Sequence, residues 1–121
     1  MIDWQNKSHA RDTMKGDVQI KFAKDRKDVV IKIRKEVYLK LTDTHYLIVG
    51  FEGSRLYFQQ ANKDKGWKVA DESKTVLFSV PFTKMPLSRI EEGDYNLEYD
   101  TNHMLYYIDV KNKITINWRM K

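Results

Sequence analysis

Four basic side chains and one tyrosine in the first third of the chain have types and spacing that suit binding to a polyanion. They are Lys21, Lys32, Arg34, Tyr38 and Lys40. Lysine and arginine neutralise phosphates and release counterions, and a tyrosine ring can stack on an unpaired base. If the five share one face, they predict a surface for nucleic acid, single-stranded DNA in particular. A solvated outer sheet face would show the same pattern, so that alternative stays open.

Residue types that support catalysis or metal binding are present but scattered. His9, His45 and His103 are far apart in the sequence, and each is flanked by polar turn-forming residues. A zinc site needs three or four ligands at characteristic spacings, and the chain has no cysteine. The acidic stretch from Glu91 to Asp100 lies among turn residues, and neither a phosphate-binding glycine loop nor a Gly-x-Ser-x-Gly motif occurs. We therefore expect no catalytic residues, no metal and no cofactor.

Charge is unevenly distributed along the 121 residues, whose formal net charge is +5. Residues 1–40 carry +5 (11 basic, 6 acidic), residues 81–110 carry −4 (2 basic, 6 acidic) and residues 111–121 carry +4 (4 basic, none acidic). Such asymmetry favours a polyanionic partner. No apolar run is long enough to span a membrane, and the first residues lack the apolar part of a secretory signal. A cytoplasmic protein without membrane contact is expected, and the absence of cysteine fits a reducing compartment.

The elements that must position these residues are predicted to be short strands. From Val18 onward apolar and polar residues alternate, and polar turns such as 24–28, 42–45 and 52–54 separate the segments. Period-two alternation gives a strand one apolar and one polar face. The predicted core-facing residues of the first three segments are Val18, Ile20, Phe22, Val29, Ile31, Ile33, Val37, Leu39 and Leu41. On this prediction Lys21, Lys32, Arg34, Tyr38 and Lys40 share the outer face.

About nine or ten such segments predict a mainly β protein, with at most one short helix near residues 83–92. The strands are expected to form a single small antiparallel β-barrel or sandwich over residues 18–121. A basic arm over residues 1–17 precedes them. The alternative is two small β-units, divided near residue 62, that share one core.

Five stretches, taken in order, resemble small phage and mobile-element proteins with AbrB/SpoVT-like swapped-hairpin units. They are 30–35 (VIKIRK), 46–51 (YLIVGF), 55–58 (RLYF), 66–69 (GWKV) and 93–100 (GDYNLEYD). The resemblance covers about two-thirds of the chain and rests mostly on strand patterns. It implies a DNA-binding protein that acts as a homodimer through basic β-elements, in replication, recombination or transcription regulation of a phage or mobile element.

Aromatic residues favour a second interpretation, in which the chain is a protein-interaction module such as an inhibitor or an assembly factor. Trp4 lies in the polar arm, where it is expected to dock on something. Tyr106 and Tyr107 point to opposite faces of one strand, so one ring faces outward and could contact a partner. An exposed β edge could accept a strand of that partner. Strong salt dependence of binding would distinguish nucleic acid from an apolar protein interface.

Overall fold

The computed structural model describes residues 16–42, 44–72, 74–85 and 87–114. These residues confirm the predicted mainly β fold. The strands are β1 (Val18–Ala23), β2 (Asp28–Arg34), β3 (Tyr46–Glu52), β4 (Arg55–Gln60), β5 (Trp67–Lys68), β6 (Ala70–Glu72), β7 (Thr75–Pro81), β8 (Gly93–Tyr95), β9 (Glu98–Asp100) and β10 (Leu105–Asp109). The α-helix α1 spans Lys35–Leu41, and a 3₁₀ helix spans Leu87–Arg89, inside the predicted helical region. The arm up to residue 15, including Trp4, lies outside the described residues.

The strands pair into two antiparallel sheets of five strands each. Sheet 1 has the order β6-β7-β2-β1-β8, and sheet 2 has the order β5-β3-β4-β10-β9. Each sheet is open at two edges, so the described strands do not close into one barrel. Both sheets combine strands from before and after residue 62. The alternative of two β-units divided at that residue is therefore wrong.

Alternation of apolar residues sets the register of sheet 1. Val18 lies opposite Ile33, and Ile20 lies opposite Ile31, on the buried face of β1 and β2. On the other side of β2, Phe78 of β7 lies opposite Ile31 and is also buried. A register shift of one residue would move this whole set into solvent, which makes the observed pairing strongly specified. The predicted burial of Ile31 is confirmed.

Residues 35–41 depart from the prediction, because they form α1 instead of a third strand. The helix buries Val37 and Tyr38 and leaves Leu39 66% exposed, so the predicted burial of Leu39 is wrong. Val37, Tyr38 and Leu41 are one and four positions apart, which suits one side of a helix as well as alternation suits a strand. An acidic residue in the first turn and a basic one in the last also favour the helix dipole. In seven residues, periodicity alone does not separate the two structures.

Buried side chains from both sheets form one hydrophobic cluster. Sheet 1 contributes Ile20 and Ile31, sheet 2 contributes Leu56 and Ile108, and α1 adds Val37. Consecutive strands also join the sheets, since β5 pairs with β3 in sheet 2 and β6 pairs with β7 in sheet 1, with only residue 69 between them. Within the described part of the chain, no helix has the length and apolar character needed to cross a membrane.

Candidate nucleic-acid interface

Three of the predicted cations lie on the face of sheet 1 that points away from the core. Lys21 pairs with Val30 and Lys32 pairs with Gln19 across β1 and β2, while the intervening Ile20 faces inward. Arg34 follows Lys32 on the same face of β2. Diagonal neighbours on paired strands are about 7–8 Å apart, and alternate residues of one strand are about 7 Å apart. Lys21, Lys32 and Arg34 therefore form a row along the β1–β2 hairpin.

The cations of this row differ in what already binds them. The Arg34 guanidinium donates a hydrogen bond from Nε to the carbonyl oxygen of Gly16 at 2.8 Å, which fixes its position beside the start of β1. The ammonium groups of Lys21 and Lys32 form no ion pair with any described residue. Both lysines are therefore able to pair with an external anion without first breaking a salt bridge of the fold.

The turn between β1 and β2 extends the row beyond Lys21. Lys24, Arg26 and Lys27 stand within the four-residue turn and are exposed. Arg26 is 3.8 Å from Asp28, and Lys27 adopts a left-handed φ of 58°. The sequence pattern predicts only a turn here, although three cations in four residues also signal a basic surface. We call Lys21, Lys24, Arg26, Lys27, Lys32 and Arg34 the basic track.

Carboxylates border the basic track. Asp94 of β8 accepts a hydrogen bond from the Gln19 side chain at 3.2 Å, next to Lys32 in the sheet. Glu92 accepts the backbone N–H of Phe22 at 2.7 Å, beside Lys21. Because acidic groups line its β8 side, the track is narrow, and anions beyond that border would be repelled.

Tyr38 and Lys40 do not belong to this face, so the predicted grouping of five residues is wrong for both. Tyr38 is 6% exposed in the core, and its hydroxyl donates to the carbonyl oxygen of Thr44. Burial, with a smaller contribution from Asp71, raises the pKa of Tyr38. The helical turn at residues 35–41 points the ring inward, where it cannot stack on a base. Lys40 is exposed on α1 and borders a separate depression of about 530 Å³ beside Tyr106.

Tyr106 and Tyr107 point to opposite faces of β10, as predicted, but the structure uses them differently. Tyr107 is buried against Tyr57, with ring centroids 5.5 Å apart, and the Arg55 guanidinium lies 4.2 Å from the Tyr107 ring. Tyr106 packs edge-on against Tyr99 at 4.8 Å, and Tyr99 is 47% exposed. Tyr107 therefore offers little surface to a partner. The accessible aromatic surface in this region is formed by Tyr106 of β10 with Tyr99 of β9.

A polar network on the outward face of sheet 2 surrounds Asp100. Its Oδ2 accepts hydrogen bonds from the Tyr57 hydroxyl at 2.6 Å and the Arg55 guanidinium at 3.0 Å, and lies 2.9 Å from His103 Nδ1. Its Oδ1 accepts the backbone N–H groups of Asn102 and His103. Chiefly because Tyr57 donates to the carboxylate, the pKa of Asp100 is held well below its ordinary value, although burial opposes this. The same hydrogen bond raises the pKa of Tyr57.

The geometry of this network suits a structural role. His103 lies between two carboxylates, with Nδ1 2.9 Å from Asp100 and Nε2 2.9 Å from Glu52. A catalytic histidine would present one nitrogen to a nucleophile or substrate, whereas both nitrogens here face acidic oxygens. No group of three or more metal-ligating side chains suited to an ion occurs among the residues described. The network fixes the turn 101–104, in which Met104 has a φ of 58°.

One edge of sheet 2 is open over most of its length. β4 pairs with β3 from Leu47 to Glu52, but β5 covers only Tyr46 and Leu47 on the other side. Residues 48–52 therefore have no strand beyond them in the described parts of the chain. These five residues line a depression of about 280 Å³, and a side chain added at Gly50 would meet nothing within 4 Å. We call residues 48–52 the open edge.

Comparisons with known protein families, with curated protein sequences and with solved structures identify no match. The AbrB/SpoVT-like resemblance stays a prediction.

Proposed function

We propose that the protein binds single-stranded nucleic acid, without catalysis, through the basic track. The observation that carries this proposal is the outward row of Lys21, Lys32 and Arg34 on adjacent strands. A row of cations about 7 Å apart can neutralise successive phosphates of one backbone. The turn cations Lys24 and Lys27 would continue the same contact beyond the end of the strands.

The acidic border of the track supports a single strand as the ligand. Asp94 and Glu92 lie on the β8 side of the row, where a second phosphate backbone would meet like charge. No aromatic ring stands on the described part of this face, because Tyr38 lies in the core. Binding would therefore follow backbone charge and depend little on base identity. The resemblance noted above suggests DNA of a phage or mobile element, within the cytoplasm, as the setting.

The test is a titration of labelled single- and double-stranded oligonucleotides by fluorescence anisotropy at several salt concentrations. The logarithm of affinity for a single strand should fall with the logarithm of salt at a slope of about −0.7 per neutralised phosphate. Lys32→Ala should flatten the slope by about one such unit and weaken all sequences alike. Lys63→Ala, a matched loss of one exposed lysine in the loop after β4, should leave the slope unchanged.

Two outcomes would remove the proposal. The first is an absence of binding by the wild-type protein at low salt. The second is equal flattening by Lys32→Ala and Lys63→Ala, which would indicate unspecific attraction to a basic protein. Stronger binding of duplex than of single strands would retain the track but contradict the proposed ligand.

The second candidate function is protein interaction through a β edge. The observation that favours it is the open edge of β3, whose backbone groups and mostly apolar side chains have no neighbouring strand in the residues described. Exposed edges of this kind accept an added strand through main-chain hydrogen bonds. Binding there should depend weakly on salt, in contrast to the basic track.

A further inference from the structure

The backbone of β3 presents its unused hydrogen-bonding groups at alternate residues. In an antiparallel strand, successive residues direct N–H and C=O groups to opposite sides. The carbonyl of Tyr46 accepts the N–H of Ala61 after β4, whereas the carbonyl of His45 accepts the N–H of Val69 beside β5. Continuing this alternation, Ile48 and Gly50 direct their groups to β4. Val49 and Phe51 direct theirs away from it.

The groups of Val49 and Phe51 therefore form the hydrogen-bonding surface of the open edge. β5 ends its pairing at Leu47, so within the described residues no strand reaches them. Residues 48–51 contain neither proline nor a charged side chain, while charged groups stand at the end of the edge, where Glu52 closes it and the Arg89 guanidinium lies 4.5 Å from the Phe51 ring. An edge with these properties is a template for another strand.

We propose that a second copy of this chain occupies the open edge, antiparallel to it and with the two-fold axis at Gly50. In this register Val49 lies opposite Phe51 of the partner subunit, and Phe51 lies opposite the partner's Val49. The groups that point away from β4 then face one another, which allows four inter-strand hydrogen bonds. Sheet 2 of one copy would continue into sheet 2 of the other.

The length of the open edge fits this occupant. The edge has five residues, bounded by β5 at one end and by the turn 53–54 at the other. With the axis at Gly50, the partner's Glu52 lies opposite Ile48, and its chain turns away where β5 begins. A longer partner strand would collide with β5, whereas the chain's own β3 ends at the required residue.

The side chains are also compatible with self-pairing. Val49 and Phe51 are apolar and partly buried, so their cross-strand contacts extend the apolar face of the sheet. Each Glu52 faces an isoleucine, so no like charges are opposed. Gly50 has open space around its Cα, which permits close approach at the centre. The proposal is independent of nucleic-acid binding. It rests on the second candidate function, protein interaction through the open edge, and names a second copy of the chain as the partner.

Disulfide trapping tests the contact directly, because the chain contains no cysteine. The two Gly50 residues would form a non-hydrogen-bonded pair with Cα atoms about 4.5 Å apart, within the range of a disulfide. Gly50→Cys should give a covalent dimer on mild oxidation. Leu39→Cys, at a residue 66% exposed on α1, is the matched control for random collision and should cross-link far less.

A mixing experiment tests the register. Ile48→Cys alone and Glu52→Cys alone should cross-link no faster than the Leu39→Cys control, because neither residue faces its own copy. An equal mixture should form the mixed disulfide, because residue 48 faces residue 52 of the other subunit. Cross-linking of either variant with itself, without the mixed product, would overturn the antiparallel register about Gly50.

Analytical ultracentrifugation tests the association without a covalent bond. The wild type should dimerise reversibly and weakly, since a pairing of five residues per copy makes a small interface. Gly50→Lys places two like charges at the axis and should raise the dimer dissociation constant about tenfold or more. Gly50→Ala is the conservative control. Circular dichroism should show that both variants fold.

Failure of this proposal can be told apart from failure of the proposed function. A wild-type protein that stays monomeric, with Gly50→Cys no more reactive than Leu39→Cys, would overturn self-pairing while leaving the oligonucleotide titration intact. Conversely, if the dimer is trapped but nucleic acid does not bind in a salt-dependent way, the self-pairing proposal stands and the proposed function is overturned. Gly50→Lys should leave the loss of affinity caused by Lys32→Ala unchanged.

Discussion

β7 in sheet 1 and β3 in sheet 2 have the same length and are covered by a neighbouring strand to a similar extent, but their uncovered ends differ. Each has seven residues, and a shorter strand covers only one end of its outer edge. In β7 the last uncovered residue is closed locally, because Pro81 has no N–H and its carbonyl accepts bonds from the N–H groups of Lys84 and Met85. The uncovered end of β3 has no such closure in the residues described. A long strand that a shorter strand covers only in part is therefore not by that fact a binding site. What matters is whether the backbone N–H and C=O groups of its uncovered part have hydrogen-bond partners.

The outward faces of the two sheets differ as well. Sheet 1 carries a row of cations, two of which lack ion pairs with described residues, while sheet 2 carries the network in which Asp100 binds Tyr57, Arg55 and His103. The ammonium groups of Lys21 and Lys32 on the first face are thus not held by a salt bridge to a described residue, whereas the charged groups on the second face mostly bind one another. This contrast is the reason why the proposed function places the ligand on the face of sheet 1.

The largest losses of unfolding free energy are expected in the core that the two sheets share, where the sheets do not differ. Ile31 of sheet 1 and Leu56 of sheet 2 are both fully buried, so truncating either to alanine should cost roughly 2–5 kcal/mol of unfolding free energy. Leu39→Ala, at an exposed residue of α1, is the control and should stay within about ±0.5 kcal/mol. Urea denaturation followed by circular dichroism measures all three. A small cost for either of the two buried residues would show that its side chain is not packed in the core.

A pair of proline substitutions sharpens the comparison at the edge. Ile48→Pro removes an N–H that bonds to β4 and should cost about 1–3 kcal/mol of unfolding free energy. Val49→Pro removes an N–H that points away from β4, so its cost should be clearly smaller, yet it should abolish pairing with a second copy. Denaturation and ultracentrifugation of the two variants supply the measurements. Equal destabilisation would mean that the backbone alternation is assigned incorrectly.

The smallest expected effect is on the unfolding free energy at acidic pH. The pKa of Asp100 in the folded protein lies below the unfolded value of about 3.9, so its stabilising contribution is present above that value and is lost as pH falls below it. Asp100→Asn should therefore flatten the fall of unfolding free energy between about pH 5 and pH 2. Asp64→Asn, in the exposed loop after β4, is the control. An unchanged slope in Asp100→Asn would show that its hydrogen bonds do not favour the charged carboxylate.

Sequence reasoning succeeded where local pattern and tertiary structure agree. The alternation around Ile20 and Ile31 determines which face of sheet 1 is buried, and it thereby places Lys21 and Lys32 on the other face. It failed at residues 35–41, where a seven-residue segment satisfies helical and extended periodicity equally. Alternation therefore predicts Tyr38 on the surface, whereas the helix points its ring into the core.

The network on sheet 2 could not be predicted in the same way. Arg55 and Asp100 are 45 residues apart, and only the pairing of β4 with β10 and of β10 with β9 brings them together. The residues after Asp100 predict a turn, which the structure confirms. The neighbouring sequence does not predict which distant side chains bind the Asp100 carboxylate. The open edge is likewise a property of sheet order, since it depends on how little of β3 is covered by β5.

The segment that contains β5 and β6 has a consequence for cooperativity. Residues 67–68 belong to sheet 2 and residues 70–72 to sheet 1, and the buried Val69 between them anchors the crossing in the core. Because a single residue links the two sheets and that residue is buried in their shared core, we expect the two sheets to open together. Amide hydrogens in the centres of both sheets should therefore exchange with solvent through the same global unfolding. The free energy of opening obtained from hydrogen exchange should be the same for both sheets.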